Sequence, residues 1–230
     1  GPLHIGHGRG AALGDTLANV LEAAGFAVER EYYINDVGLQ MDTLGRSTHL
    51  RYLEDFGRVV EFPANYYQGD YIRDIARLAR ERWGSRYVEA PEAEWLPPFR
   101  ELASTEIMAG IKRDLADFGV RYDRYFSERE LYDAGEVERA FAEMRGRGYL
   151  YEAEGALWFK STAFGDDKDR VVRRSSGETT YFASDIAYHR NKFERGLKRV
   201  VDIWGADHHG YVPRLTAAVE AMGYGREQLK

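Results

Sequence analysis

The sequence predicts an α/β protein built on a doubly wound parallel sheet, with one helical insertion and one insertion of β-hairpins. Three observations support this fold class. Short runs of β-branched and aromatic residues alternate with amphipathic segments of helical period. A glycine-rich turn, GPLHIGHGRG, leads directly into the first amphipathic segment, and GADHHG follows a late apolar run. Strands separated by helices favour parallel pairing, because each helix returns the chain to the same end of the sheet.

The first half of the chain is mostly helical. Apolar residues at helical spacing predict a helix from Gly8 to Ala24, and FAVEREYYI predicts the strand after it, closed by the turn NDVG. From Gln40 to Phe118 the pattern is again helical, with one helix over YIRDIARLARERWG and another that opens at Pro97 and Pro98. The apolar stripe of YIRDIARLARERWG comprises Ile72, Ile75, Ala76 and Ala79.

The second half mixes strands, hairpins and helices. VRYDRYFSE and RVVDIWGAD predict strands, while EVERAFAEMRGRG, SDIAYHRNKFE and GYVPRLTAAVEAMG predict helices. GALWFKS and RVVRRSSGETTYFA predict hairpin strands, the latter turning at Ser176 and Gly177. We therefore assign core segments to about 1–37, 112–130 and 181–230, a helical insertion to about 38–111 and a hairpin insertion to about 131–180.

Composition excludes several classes of protein. The net charge of -6 argues against a surface that is basic throughout, and the absence of cysteine excludes disulfides and thiolate metal sites. No apolar run reaches the roughly 18 residues of a membrane span, so we expect a soluble, cytoplasmic protein. The sequence begins at Gly1 rather than at methionine and ends in AMGYGREQLK, so we expect it to be part of a longer chain.

The glycine-rich turn contains a candidate phosphate site. Turns that enter a helix on such a sheet bind phosphates, because backbone N–H groups and the positive end of the helix dipole point there. His4 and His7 are spaced so that both rings can donate to one cluster of oxygen atoms. Gly6 and Gly8 leave room for a close approach of the backbone. The alternative is that both histidines are ordinary loop residues.

Five motifs in this order resemble one family: GPLHIGHGRG, REYYINDVGLQ, RYDRYFSE, TTYFASDIAYH and GADHHGYVPRL. Together they are similar to the catalytic domain of bacterial-type arginyl-tRNA synthetases, which are class I aminoacyl-tRNA synthetases. The resemblance implies a Rossmann-type fold, ATP with Mg²⁺, and L-arginine and its tRNA as partners. We also expect a monomer with no membrane contact. It also implies formation of arginyl-adenylate, followed by transfer of arginine to the 3′-terminal adenosine of the tRNA.

The resemblance assigns the ATP site to both glycine-containing motifs. His4 and His7 take the catalytic role on the phosphates, with Gly6 and Gly8 beside them. Gly205 lets the nucleoside approach, and Asp207 accepts the ribose hydroxyls. Asp207 has an alternative role as the N-cap of the following helix.

The resemblance also assigns an arginine pocket. Asp185 is its main acid, because a planar guanidinium pairs best with a bidentate carboxylate. Tyr181 closes the pocket, Glu128 is a second acid, and His208 faces the amino acid. Asp185 and Tyr181 have alternative roles as a helix cap and a hairpin aromatic. We assign no role to Asn35 and Asp36, which are also ordinary turn residues.

Two groups of basic residues are candidates for RNA contact. The first lies on YIRDIARLARERWG, where interleaved acids favour an ordinary solvated helix face. The second is the better candidate for the tRNA acceptor end and comprises Lys168, Arg170, Arg173 and Arg174.

Segments of the family's pattern are missing from the sequence: its first strand, its KMSKS-like loop and its anticodon-binding domain. We therefore expect this piece alone to be impaired. Two rival functions stay open, a related nucleotidyltransferase acting on another small molecule and a non-catalytic binding module descended from a synthetase.

Overall fold

The computed structural model describes residues 1–230, except for the side chain of Asp207. The chain divides into two compact units. The first comprises residues 1–30 and 35–124, and the second comprises residues 31–34 and 125–230. Within the described residues, no helix combines the length and apolar character that crossing a bilayer requires.

The first unit is helical, as the sequence predicts. Its helices are α1 (Ile5–Ala23), α2 (Leu39–Asp55), α3 (Asp70–Trp83) and α4 (Glu92–Asp117). The predicted apolar stripe of α3 is confirmed, because all four of its residues are buried. They pack with Tyr52 and Phe99, which are fully buried, in one hydrophobic cluster of this unit. Burial of this cluster holds the helices together.

Two predicted helix starts in this unit were wrong. Helix α1 begins at Ile5 rather than Gly8, because the side chain of His4 caps it. Helix α4 begins at Glu92, which leaves Pro97 and Pro98 inside the helix. The residues around the prolines pack into the buried cluster, so tertiary burial outweighs the local preference for proline at a helix start.

The second unit combines two sheets with helices. Strands β1 (Glu31–Ile34) and β2 (Arg124–Ser127) form a parallel pair, and a three-stranded antiparallel sheet has the order β3-β4-β5. The strands of the second sheet are β3 (Leu150–Ala153), β4 (Ala156–Phe159) and β5 (Arg170–Arg173). The helices are α5 (Glu128–Asp133), α6 (Glu136–Gly146), α7 (Tyr181–Glu194) and α8 (Val212–Ala221). Short 3-10 helices span Ser161–Phe164, Ala206–Tyr211 and Arg226–Gln228. The predicted mixed α/β class is confirmed.

Helix α7 lies at the centre of this unit. Phe182, Ala183, Ile186 and Ala187 of α7 belong to its main buried cluster. The hydroxyl of Tyr188 donates to Glu31 on β1 at 2.5 Å, which attaches the parallel pair to α7. Burial and this hydrogen bond therefore fix the position of α7 within the unit.

The hairpins were predicted only in part. The turn at Ser176 and Gly177 is confirmed, since the Gly177 amide donates to the Arg174 carbonyl at 2.9 Å and Gly177 has a φ of 88°. The strand predicted for TTYFA was wrong. Thr180 is the N-cap of α7, which starts at Tyr181, because the apolar residues that follow are buried at helical spacing.

The segment RVVDIWGAD is extended but is not a regular strand, so this prediction was wrong. Val200 forms an isolated parallel bridge with Leu229. The Asp202 amide also donates to the carbonyl of Lys230, at 2.8 Å. Beyond Asp202 the chain leaves this ladder and enters the 3-10 helix Ala206–Tyr211.

Candidate functional site

The predicted site residues are distributed over both units. His4, Gly6, His7 and Gly8 lie in the first unit, and all the others lie in the second. The start of α1 and the surroundings of α7 therefore belong to different units.

His4 and His7 cap the start of α1 reciprocally. The Nδ1 atom of His4 accepts a hydrogen bond from the Gly6 amide at 3.1 Å. The Nδ1 atom of His7 accepts one from the His4 amide at 3.2 Å. The two rings are stacked, with centroids 3.8 Å apart. This arrangement is a capping box in which histidines replace the usual hydroxyl and carboxamide side chains.

The cap determines which hydrogen-bond donors this site offers. Because both Nδ1 atoms accept, each neutral ring holds its proton on Nε2 and donates from that atom. Partial desolvation of the ring, together with the charge of His4, lowers the pKa of His7 below its ordinary value. Both histidines are exposed, so the Nε2–H groups are accessible to a ligand. The backbone amides of His4 and Gly6 already donate within the cap. A ligand at this helix start would therefore meet the ring Nε2–H groups in place of these two amides.

The two glycines beside the histidines differ in their surroundings. A Cβ atom at Gly6 would lie 2.9 Å from Cε1 of His4, so a larger residue there would displace the capping ring. A Cβ atom at Gly8 would meet nothing within 4 Å. Gly6 is therefore required by the cap itself, whereas Gly8 keeps the adjacent surface open.

The GADHHG motif borders an open cleft of about 230 Å³ in the second unit. Gly205 is extended at the N-cap of the 3-10 helix, and the exposed ring of His208 lies 5.9 Å from that of Trp204. The predicted ribose ligand Asp207 has a side chain outside the described residues. The cleft is lined by Asp202, Trp204, Gly205, Ala206, His208, His209, Val212, Leu215, Thr216, Leu229 and Lys230.

Asp185 lies in the second turn of α7, where it does not cap the helix. The N-cap is Thr180, so the alternative interpretation of Asp185 as a helix cap was wrong. Its carboxylate accepts a hydrogen bond from the hydroxyl of Tyr211, and its backbone carbonyl lies 2.8 Å from Nδ1 of His189. Burial raises the pKa of Asp185, and the hydrogen bond from Tyr211 opposes that rise.

Of the other predicted members of the arginine pocket, Tyr181 lies on α7, Glu128 on α5 and His208 on the 3-10 helix Ala206–Tyr211. Tyr181 is the first residue of α7, 60% exposed, one helical turn before Asp185. Glu128 is the first residue of α5 and is 3% exposed. The hydroxyl of Tyr132 on α5 lies 2.8 Å from Oγ of Ser184, which ties α5 to the start of α7.

Sequence reasoning missed a buried ionic cluster behind Asp185. The Asp202 carboxylate lies 2.8 Å from Nε2 of His189 and 3.0 Å from Nζ of Lys192. Burial acts against the charge of Asp202, but attraction and hydrogen bonding to His189 and Lys192 outweigh it and hold the pKa of this carboxyl well below its usual range. Both ring nitrogens of His189 face oxygen acceptors, Nδ1 the carbonyl of Asp185 and Nε2 the carboxylate of Asp202. The spacing of His189 and Lys192, three residues apart on one helix, was the available signal.

The basic residues predicted to contact tRNA are largely paired with acidic neighbours. Arg170 donates to both oxygens of Asp166 at 2.7 Å, and its side chain is only 12% exposed. Lys168 is exposed. These pairings reduce the positive potential that the cluster presents to RNA. In the remaining pairs, Arg170 contacts Asp167, Arg173 contacts Glu138 and Arg174 contacts Glu178.

Comparison with known proteins gives a consistent result. The family model for class I (R) tRNA synthetases, catalytic domain, matches residues 1–230. The arginine-tRNA ligase of Geobacter sp. (strain M21) is 59% identical over 223 residues, covering 97% of this chain. That of Syntrophotalea carbinolica is 57% identical over 230 residues, covering 100% of this chain.

Solved structures agree. A crystal structure from Campylobacter jejuni that bears the name arginyl-tRNA synthetase superposes with a TM-score of 0.94 at 40% identity, covering 100% of this chain and 50% of that chain. Arginyl-tRNA synthetase from Plasmodium falciparum, with a TM-score of 0.67 and 13% identity over 99% of this chain and 39% of that chain, supports the fold alone. The chain spans about two fifths of the length of the curated relatives, 40% for Geobacter and 42% for Syntrophotalea. The family model that matches throughout and the high identity of the relatives together establish that this chain belongs to the catalytic-domain family of class I arginyl-tRNA synthetases.

Proposed function

We propose that the protein containing this chain is an arginine-tRNA ligase. It activates L-arginine with ATP to arginyl-adenylate and transfers the arginyl group to the 3′-terminal adenosine of its tRNA. The names of the curated relatives support this reaction, and they do not favour a nucleotidyltransferase for another small molecule or a binding module without activity. The proposal implies a monomer that acts in the cytoplasm, where charged tRNA is consumed.

The reciprocal histidine cap is the observation that best supports the chemistry. As the arginine carboxylate attacks the α-phosphorus of ATP, negative charge grows on the phosphate oxygens and pyrophosphate leaves. The Nε2–H groups of His4 and His7 are exposed and fixed in direction, and donors of this kind stabilise such charge. We assign adenosine contacts to Gly205 and Asp207, and Mg²⁺ arrives with the triphosphate.

The acid on α7 supports recognition of arginine. A carboxylate that is buried and still ionised pairs strongly with a guanidinium, because the site withholds water from both. Asp185 is a candidate of this kind, because burial withholds water from its carboxylate and the hydroxyl of Tyr211 donates to it. We assign Tyr181, Glu128 and His208 to the same pocket. For the tRNA, we keep Lys168, Arg170, Arg173 and Arg174 as candidate contacts, with Lys168 the most accessible of them.

Replacement of His7 tests the proposed role of the cap. In the full-length protein, His7→Ala should slow adenylate formation by about 10²–10³, because one preorganised donor to the α-phosphate is lost. Arginine affinity should change little. The measurement is a single-turnover assay of arginine-dependent adenylate formation, with arginine binding measured alongside.

A second variant separates catalysis from capping. His7→Gln keeps a side-chain acceptor for the His4 amide, since glutamine is a standard residue at this position of a capping box. It lacks the ring that directs the donor, so we expect its rate to fall as well. An adenylate-formation rate equal to wild type in both variants would exclude His7 from the chemistry. Recovery in His7→Gln alone would show that His7 acts only as a cap.

A further inference from the structure

Tyr211 contacts Asp185 directly, and its ring is held in place by its neighbours. The residue ends the 3-10 helix Ala206–Tyr211 and is the N-cap of α8. Its hydroxyl donates to Oδ2 of Asp185. The ring meets Phe182 edge-on with centroids 5.9 Å apart, and meets Trp204 with centroids 5.6 Å apart. Aromatic contacts on two sides leave the hydroxyl one direction in which to point.

The backbone of Asp185 is fixed independently. His189 donates to the Asp185 carbonyl and is itself held by the Asp202 carboxylate. His189 is 2% exposed, so this contact is protected from water. With the backbone fixed, the remaining freedom of Asp185 is rotation of its side chain. The hydroxyl of Tyr211 removes that freedom.

We propose that Tyr211 is a positioning residue for arginine recognition: its hydroxyl fixes the plane of the Asp185 carboxylate so that the remaining acceptor sites face the guanidinium. This inference rests on the proposed function, in which Asp185 binds arginine. A guanidinium presents paired N–H groups in a plane, and it pairs best with a carboxylate whose plane matches. The hydroxyl occupies one acceptor site on Oδ2 and leaves Oδ1 and a second site on Oδ2 for the substrate.

The hydroxyl also influences the charge of Asp185. The groups that act on this carboxyl are Tyr211 from the 3-10 helix, Asp202 from the extended segment, and His189 and Lys192 from α7 itself. Burial raises its pKa, and donation from Tyr211 lowers it. Removal of the hydroxyl therefore raises the pKa of Asp185 further. Because only the ionised form pairs with arginine, affinity for arginine should then begin to fall at a higher pH as the solution is acidified.

Tyr211→Phe in the full-length protein tests this inference. The variant keeps the ring and its packing but loses the hydroxyl. Arginine affinity at pH 7.5, measured by calorimetry with a non-hydrolysable ATP analogue, should weaken about 10- to 100-fold, as expected for a hydrogen bond to a charged group. The KM for ATP should stay at the wild-type value. In titrations at a series of pH values, the decline of arginine binding should start at a higher pH than in wild type.

Tyr224→Phe is the matched control. Tyr224 lies after α8, where its ring stacks on Phe193 with centroids 4.2 Å apart, and it does not contact Asp185 in the described structure. We expect wild-type arginine affinity and a wild-type pH profile from it. A Tyr211→Phe variant with the same affinity and pH profile as wild type would overturn the positioning role. If Asp185→Asn still abolished arginine binding, the arginine pocket would stand; if Asp185→Asn were also silent, the proposed pocket itself would fail.

Discussion

Asp185→Asn should reduce arginine affinity by roughly two to four decades. The substitution keeps the volume of the side chain but removes its charge and one acceptor, so a bound guanidinium is left buried and poorly paired. Breaking a desolvated charge pair on one side costs about 3–5 kcal/mol. The measurement is arginine titration by calorimetry in the full-length protein, with ATP analogue and tRNA present. The affinity for the ATP analogue should be unchanged.

The stability of the same variant gives an independent check. Burial raises the pKa of Asp185, so its ionised form at neutral pH is unfavourable in the folded protein. A carboxyl whose pKa is raised by folding stabilises the folded state at low pH. This contribution to the free energy of unfolding is lost as the pH rises through the folded-state pKa. Neutral asparagine avoids that penalty at pH 7, so the melting temperature should equal or exceed that of wild type. Asp133→Asn, at an exposed aspartate of α5, is the control and should change neither the arginine affinity nor the melting temperature. Unchanged arginine binding in Asp185→Asn would show that the arginine pocket is misplaced.

Asp202→Asn should lower the free energy of unfolding by about 3–5 kcal/mol, because it leaves His189 and Lys192 buried without their counter-ion. His189 and Lys192 are nearly inaccessible to water, with exposed fractions of 2% and 8%. Urea unfolding of the full-length protein at pH 7, followed by a signal from the catalytic part, is the measurement.

The pH dependence identifies the cause. The pKa of Asp202 is depressed in the folded state, so its contribution is complete above its ordinary value of about 3.9 and is lost as the pH falls toward the folded-state value. The difference between wild type and Asp202→Asn should persist from pH 7 to pH 5 and shrink only below about pH 4. Asp74→Asn is the control, because Asp74 pairs with Arg77 on an exposed surface, where ion pairs contribute little. If Asp202→Asn and Asp74→Asn lost the same free energy of unfolding, the assignment of a buried ionic cluster would be contradicted.

The sequence predicted regular elements well where burial and local pattern agree. The stripe of α3 is an example, since four apolar residues at helical spacing are all buried. Prediction from the sequence failed where tertiary contacts outweigh a local sequence signal. Pro97 and Pro98 predict a helix start but lie inside α4, and Tyr181 resembles a strand residue but opens α7. These outcomes depend on residues distant in sequence, which a local pattern does not register.

The candidate site shows the same division. Spacing and resemblance indicate His4, His7 and Asp185, because motifs contain the chemistry directly. The partners that fix Asp185 are Tyr211 and, through His189, Asp202, and they follow from the way α7, the 3-10 helix and the extended segment meet. Tyr211 is 26 residues from Asp185 in sequence, so no short pattern joins them.

The reciprocal cap at the start of α1 has an entropic consequence. An exposed histidine ordinarily samples several rotamers, and immobilising such a side chain on binding costs about 0.5–1.5 kcal/mol. In this protein the rings of His4 and His7 are immobilised when α1 folds, by hydrogen bonds that the helix start needs in any case. A ligand that meets the two Nε2–H groups therefore finds them already ordered, and each binding event avoids that loss of freedom. The same sharing constrains evolution, because a change that improves the cap alters the binding surface, and a change that improves the surface alters the cap.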